Sequence, residues 1–180
     1  SGMELIDVKT ANDLNIVCFN AGKGNSNAVG EHALGLLLCL FHKIYFSMNQ
    51  LKDSIWEREK NIGTELSGKT IGIIGYGNTG YNFAQKIEGF KCDVLSYDKY
   101  KTRFSNKLVK EVEMQTIFEK CDIVSFHVPL NPETLHMFNK NFIDRMRKPF
   151  YIVNTSRGQI VSTKDLIDGI KKNKILGACL

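Results

Sequence analysis

The spacing of apolar residues changes character along this chain. From Val29 to about Leu51 they crowd together (Ala33, Leu34, Leu36, Leu37, Leu38, Leu40, Phe41, Ile44, Tyr45, Met48) and predict one long helix without a fully polar face. A helix that is apolar nearly all round must be covered on several sides, either inside the core or against another subunit or domain. Upstream, Glu4 to Phe19 reads as a short polar helical stretch followed by a small apolar strand, Ile16-Val17-Cys18-Phe19. A turn-rich segment of Gly and Asn residues, Asn20 to Asn27, separates it from the long helix.

After Trp56 and a charged stretch, strand and helix patterns alternate. Thr70-Ile71-Gly72-Ile73-Ile74 is a continuous apolar run, expected of a strand buried on both faces. A helix is predicted from Thr79 to about Glu88, with Gly80, Phe83, Ala84 and Ile87 on one stripe and Gly89 as its stop. Further strands are expected at Val94 to Tyr97, Asp122 to Phe126, Phe150 to Asn154 and Ile175 to Leu180. Helices fall between them at Met114 to Lys120, at Lys140 to Met146, and over Leu166, Ile167 and Ile170 behind a Ser162-Thr163 cap. This alternation predicts an α/β fold, a doubly wound parallel sheet of Rossmann type.

Composition changes the picture little. Hydrophobic residues make up 43% and charged residues 24%, the proportions of an ordinary globular domain. A net charge of +5 is spread along the chain and calls for no nucleic-acid partner. The apolar stretch Ala33 to Phe41 is far shorter than the roughly 20 residues of a membrane span, so no membrane partner is expected. Five cysteines form no CxxC pair and sit mostly in apolar runs, which favours a reducing, cytoplasmic setting over disulfides. The four histidines show no ligand spacing with them, and no metal is expected. Ser1-Gly2-Met3 reads as a cloning scar.

The chemistry is concentrated at strand ends. Gly75-Tyr76-Gly77-Asn78-Thr79-Gly80 follows a buried strand and opens a helix, the setting in which GxGxxG binds a dinucleotide. Gly75 permits the tight turn, Gly77 lets backbone approach a pyrophosphate, and Gly80 lets helix and strand pack closely. N–H groups near Asn78 and Thr79 then face the phosphates. Asp98, at the end of the next strand and about 20 residues on, fits the acid that accepts the ribose hydroxyls and selects NAD over NADP. Lys99, Lys101 and Arg103 stand beside it and leave a phosphate-bearing ligand open.

Two further segments fall at carboxyl ends of strands, where open α/β sheets bind ligands. In His127-Val128-Pro129-Leu130 the proline shapes a loop beside the cofactor, and His127 reads as a structural histidine more readily than a catalytic one. In Asn154-Thr155-Ser156-Arg157-Gly158, Arg157 can grip a carboxylate bidentately.

Together these residues resemble the D-isomer-specific 2-hydroxyacid dehydrogenase family. The likeness runs from Asp7 onward through Asn25 to Glu31, Gly68 to Ile73, the glycine turn, His127 to Leu130 with Thr134, and Asn154 to Gly158. Trp56-Glu57-Arg58 with Gly63-Thr64-Glu65-Leu66 narrows it to one branch. The resemblance implies NAD as cofactor, a small 2-hydroxy acid as substrate and a homodimer formed through the helix after Val29. It makes Arg157 the catalytic, substrate-gripping arginine. Cofactor contacts are implied at Gly75, Gly77, Asn78, Thr79, Gly80, Asp98, His127, Val128, Pro129, Thr134, Thr155, Ser156 and Arg157.

The family's histidine acid–base and its orienting glutamate are expected beyond Gly177-Ala178-Cys179-Leu180. Residues 1–20 accordingly read as a scar plus the remnant of a substrate-binding domain and hinge, and 21–180 as a C-terminally truncated NAD-binding domain. Family members that sense NAD without catalysis, such as corepressors, form the alternative.

Overall fold

The computed structural model describes residues 2–3 and 6–180; Ser1, Glu4 and Leu5, where the scar and the first polar stretch were placed, lie outside the described residues. Six parallel strands make one sheet: β1 (Thr70–Ile74), β2 (Asp93–Tyr97), β3 (Lys110–Glu111), β4 (Ile123–Phe126), β5 (Phe150–Asn154) and β6 (Ile175–Cys179). The helices are α1 (Val8–Asp13), α2 (Ser26–Phe41), α3 (Ile44–Lys52), α4 (Asn78–Ile87), α5 (Met114–Lys120), α6 (Lys140–Arg145) and α7 (Thr163–Lys171).

The strand order is β3-β2-β1-β4-β5-β6, so the winding direction reverses between β1 and β4. That reversal opens a crevice at the carboxyl ends of these two strands. The expected doubly wound α/β architecture is therefore the one observed.

Both faces of the sheet are covered, which explains the unbroken apolar runs. On one face Ile71, Ile73, Ile123 and Val153 pack with Ala33, Leu37 and Phe41 of α2 and with Phe83, Ala84 and Ile87 of α4. On the other, Ile74, Val124, Phe126 and Ile152 meet Ile117 and Phe118 of α5, Phe142 and Ile143 of α6 and Leu166 of α7. An aromatic group, Phe126, Phe138, Phe142 and Phe150, fills the second layer with ring centroids 5.3 to 6.1 Å apart. Ser162 and Asn139 cap α7 and α6, each side chain accepting an N–H three residues on.

Three local expectations are corrected. The long helix is two helices, bent by 59° at His42-Lys43, where Lys43 takes a left-handed conformation (φ 52°). Thr64 N–H donates to the Phe41 carbonyl at 2.8 Å, capturing an acceptor that a continuous helix would use itself. Burial on α2 follows a single stripe (Ser26, Gly30, Ala33, Leu37, Phe41), while α3 exposes Ile44, Tyr45, Phe46, Met48 and Leu51. No single helix among the described residues is long and apolar enough to cross a membrane.

Ile16 to Phe19 forms no strand. It lies along no sheet edge, and Val17 and Phe19 are exposed. Gly89 does not stop α4 in a left-handed conformation; the chain tightens into a short 3-10 turn, Glu88–Phe90, and Lys91 takes that conformation (φ 56°). In addition, the edge strand β3 was not expected, because its two residues, Lys110 and Glu111, are both charged and carry no strand signal.

Candidate dinucleotide-binding site

Backbone constraints shape the first half of the crevice. Gly75 sits at φ +92°, and a Cβ there would lie 2.6 Å from the His127 carbonyl oxygen. A Cβ on Gly80 would come within 2.2 Å of the Gly75 carbonyl oxygen, so α4 can start against β1 only with glycine at that position. Gly77 differs from both: a Cβ there would meet nothing within 4 Å. No side chain caps α4, so the N–H groups of its first turn face the opening without a side-chain acceptor.

Asp98 at the end of β2 is tied to this turn. Its Oδ2 accepts the Tyr76 N–H at 2.8 Å, and its Oδ1 accepts the N–H groups of Tyr100 (2.9 Å) and Lys101 (3.1 Å). A carboxylate has about four lone-pair sites, so these three bonds leave Asp98 one. The Lys101 ammonium donates to the Tyr76 carbonyl at 2.6 Å, and Lys99 pairs with Glu133 at 2.7 Å.

Side chains build the second half. A cleft of about 340 Å³ brings Gly77, Asn78 and Thr79 together with Val128, Pro129, Thr155 and Arg157. Asn154 organises the β5 end: its amide donates to the Arg157 carbonyl at 2.9 Å, and its oxygen accepts the Ser156 N–H at 3.2 Å. The Ser156 hydroxyl donates to the Phe126 carbonyl at 2.9 Å and anchors the turn to β4. Arg157 is exposed, and one of its Nη donates to the Ser156 carbonyl at 2.9 Å. It also lines an adjoining cavity of about 360 Å³ with His32, Asn154 and Gly158.

His127 is buried, 2.8 Å from Ser125 Oγ through Nε2, with Phe83 tilted against its ring at 5.3 Å. Burial pulls its pKa from 6.5 down to about 4, so the ring is neutral near pH 7. His127 Nδ1 and Thr155 Oγ1 are buried without a hydrogen-bond partner in the protein, and both residues line the cleft. Orphaned polar atoms beside an uncapped helix start and an open glycine fit a polar ligand carrying phosphates.

Thr134 lies in the loop after β4 and closes it: its hydroxyl donates to the Pro129 carbonyl at 2.6 Å and accepts the Asn131 N–H at 2.9 Å. Asn20, Gly22, Asn25 and Val29 also line the cleft, and Asn78 donates to the Gly22 carbonyl at 3.1 Å. In the sequence that segment reads only as a turn; its density of Asn and Gly just before a helix is the signal that marked it. A separate cavity of about 370 Å³ between α6 and α7 holds Lys140, Asp144 and Asp165, whose charges already pair with one another or with backbone.

A glycine turn at the switch point with an acid at the end of the next strand defines a dinucleotide-binding domain. Residues 34–180 match the family described as D-isomer specific 2-hydroxyacid dehydrogenase, NAD binding domain, and the chain belongs to that family. It is 35% identical over 99% of its length to a D-3-phosphoglycerate dehydrogenase of Archaeoglobus fulgidus, covering 34% of that protein. It is 33% identical over its whole length to a D-lactate dehydrogenase of Curvularia clavata, covering 52%. The chain thus spans between a third and about half of these relatives. Among solved structures, an NAD-dependent formate dehydrogenase of Staphylococcus aureus in complex with NAD superposes with a TM-score of 0.89 at 31% identity, covering 99% of this chain and 54% of that one. The cofactor of this domain is NAD.

Proposed function

We propose that the protein serves hydride transfer between NAD and C2 of a D-2-hydroxy acid, with D-3-phosphoglycerate as substrate and a place in serine biosynthesis. The observation that carries this is Arg157, held by Asn154 and Ser156 on the same cleft as the glycine turn. Its planar guanidinium can take the substrate carboxylate in two parallel hydrogen bonds and so present C2 to the cofactor. NAD supplies the hydride acceptor.

The hydroxyl proton must leave to a base as the hydride departs. Neutral, buried His127 is poorly suited to that task, for which the resemblance implies a histidine paired with a glutamate. The phosphorylated substrate is supported by the Trp56-Glu57-Arg58 and Gly63 to Leu66 segments, which resemble D-3-phosphoglycerate dehydrogenase. Relatives named for D-lactate, hydroxypyruvate and glyoxylate are similar to a comparable degree.

The partner is a second copy of the chain in the cytoplasm. The apolar face of α3 continues into a cavity of about 490 Å³ with Leu51, Ile55, Trp56 and Ile62, a surface suited to burial in a homodimer.

The test is NAD reduction by the intact protein with D-3-phosphoglycerate, D-lactate and D-glycerate. Preference for the phosphorylated acid, lowered about a hundredfold or more in kcat/KM by Arg157→Ala with NADH affinity nearly kept, supports the proposal. NADH binding without turnover of any of the three would favour the NAD-sensing alternative.

A further inference from the structure

Three cations, Lys99, Lys101 and Arg103, follow the ribose-side acid Asp98, a supply that a 2′-phosphate would use. The structure commits two of them. Lys101 holds the Tyr76 carbonyl at 2.6 Å, beneath the glycine turn. Lys99, immediately beside Asp98, has its ammonium 2.7 Å from Glu133 Oε2. The Tyr100 hydroxyl donates to the same Glu133 oxygen, also at 2.7 Å.

Glu133 belongs to the loop after β4, whereas Lys99 and Tyr100 belong to the loop after β2. Because β1 lies between those strands, the contact bridges the carboxyl end of β1 beside Asp98. We propose that Glu133 is a specificity-determining residue for the cofactor, cancelling the charge of Lys99 and thereby disfavouring NADP.

A 2′-phosphate brings nearly two negative charges to a ribose already faced by Asp98. Each cation there that no carboxylate neutralises favours its binding. With Glu133 ionised, the pair contributes almost no net field to an approaching phosphate, so the attraction that Lys99 alone would exert is lost. Mutual hydrogen bonding holds the Glu133 carboxyl below and the Lys99 ammonium above their ordinary pKa ranges, so both stay charged near pH 7. The Tyr100 hydrogen bond keeps the carboxylate in place on an otherwise exposed loop. Discrimination therefore has two parts: Asp98, which faces the ribose, and Glu133, which acts through Lys99.

The proposal rests on the assignment of this cleft to NAD. Its test is the dissociation constants of NADH and NADPH, by fluorescence titration at low salt, for the wild type, Glu133→Gln and the double variant Glu133→Gln/Lys99→Met. Glutamine keeps the size of the side chain and can still accept the Tyr100 hydrogen bond, so the change is one of charge. Glu133→Gln should tighten NADPH about fivefold while NADH moves less than about twofold, and the gain should shrink in high salt. The double variant should return the NADPH-to-NADH ratio to the wild-type value. An unchanged ratio in Glu133→Gln, or equal weakening of both cofactors, would overturn the role of Glu133 and leave the NAD site standing. Failure of the wild type to bind either cofactor would overturn both.

Discussion

The two halves of the cleft are held by different means. At the end of β1 the shape comes from what is missing: side chains at Gly75 and Gly80 would strike backbone carbonyls, so neither of these two positions tolerates a Cβ. At the end of β5 the shape comes from what is present: Asn154 and Ser156 hold the arginine turn through hydrogen bonds to Arg157, Ser156 and Phe126. A steric constraint acts at a fixed, short distance and forces one residue type. A hydrogen-bonded constraint admits several residue types and gives way gradually. The first half should therefore fail abruptly on substitution, and the second by degrees.

The largest expected effect follows from the steric half. Gly80→Ala puts a methyl group 2.2 Å from a backbone oxygen that cannot rotate away. It should cost about 3 kcal/mol or more in urea unfolding and abolish NADH binding. A stable variant with wild-type affinity would show that the turn is looser than its geometry.

His127 sits between the halves and links them to pH. Its folded pKa of about 4 lies below the ordinary 6.5, so the unfolded chain takes up the proton first as pH falls. The stability it contributes is complete above about pH 6.5 and is lost between there and about pH 4, by at most about 3 kcal/mol. Urea unfolding at intervals across that window should show the loss, and His127→Asn should flatten that part of the profile. Identical slopes for the two proteins would contradict the burial argument.

A smaller effect is expected on the hydrogen-bonded side. Asn154→Ala removes two bonds from the β5 turn and should cost about 1–2 kcal/mol. Because Arg157 would lose its support, turnover should fall further than NADH affinity. Equal losses in both would place Asn154 on the cofactor rather than under the arginine.

The same contrast explains what could be read in advance. Gly75 and Gly80 were legible because a steric demand within the protein leaves a fixed residue type at fixed spacing, Gly77 because it falls between them in that pattern, and the position of Asp98 because it ends the next strand. The parallel sheet was legible because burial on both faces makes Ile71 to Ile74 and Phe150 to Val153 continuously apolar. The role of Asn154 was hidden, since an asparagine in a turn has many uses. So was the contribution of Asn20, Gly22 and Asn25, which depends on where the chain returns to the crevice. The break at Lys43 is tertiary in origin: Thr64 reaches the Phe41 carbonyl from a distant loop, and no local residue announces it. Ile16 to Phe19 has a strand's composition without a neighbouring strand to pair with.

The central claim is that the glycine turn exists to hold a dinucleotide, and Gly77 tests it most directly. A Cβ at Gly77 meets nothing in the protein, so Gly77→Ala should keep its stability within about 1 kcal/mol, the usual range for a change at a helix start. If a pyrophosphate lies against that backbone, the same methyl group should weaken NADH binding at least tenfold in a fluorescence titration. Wild-type NADH affinity in a normally folded Gly77→Ala protein would contradict the account.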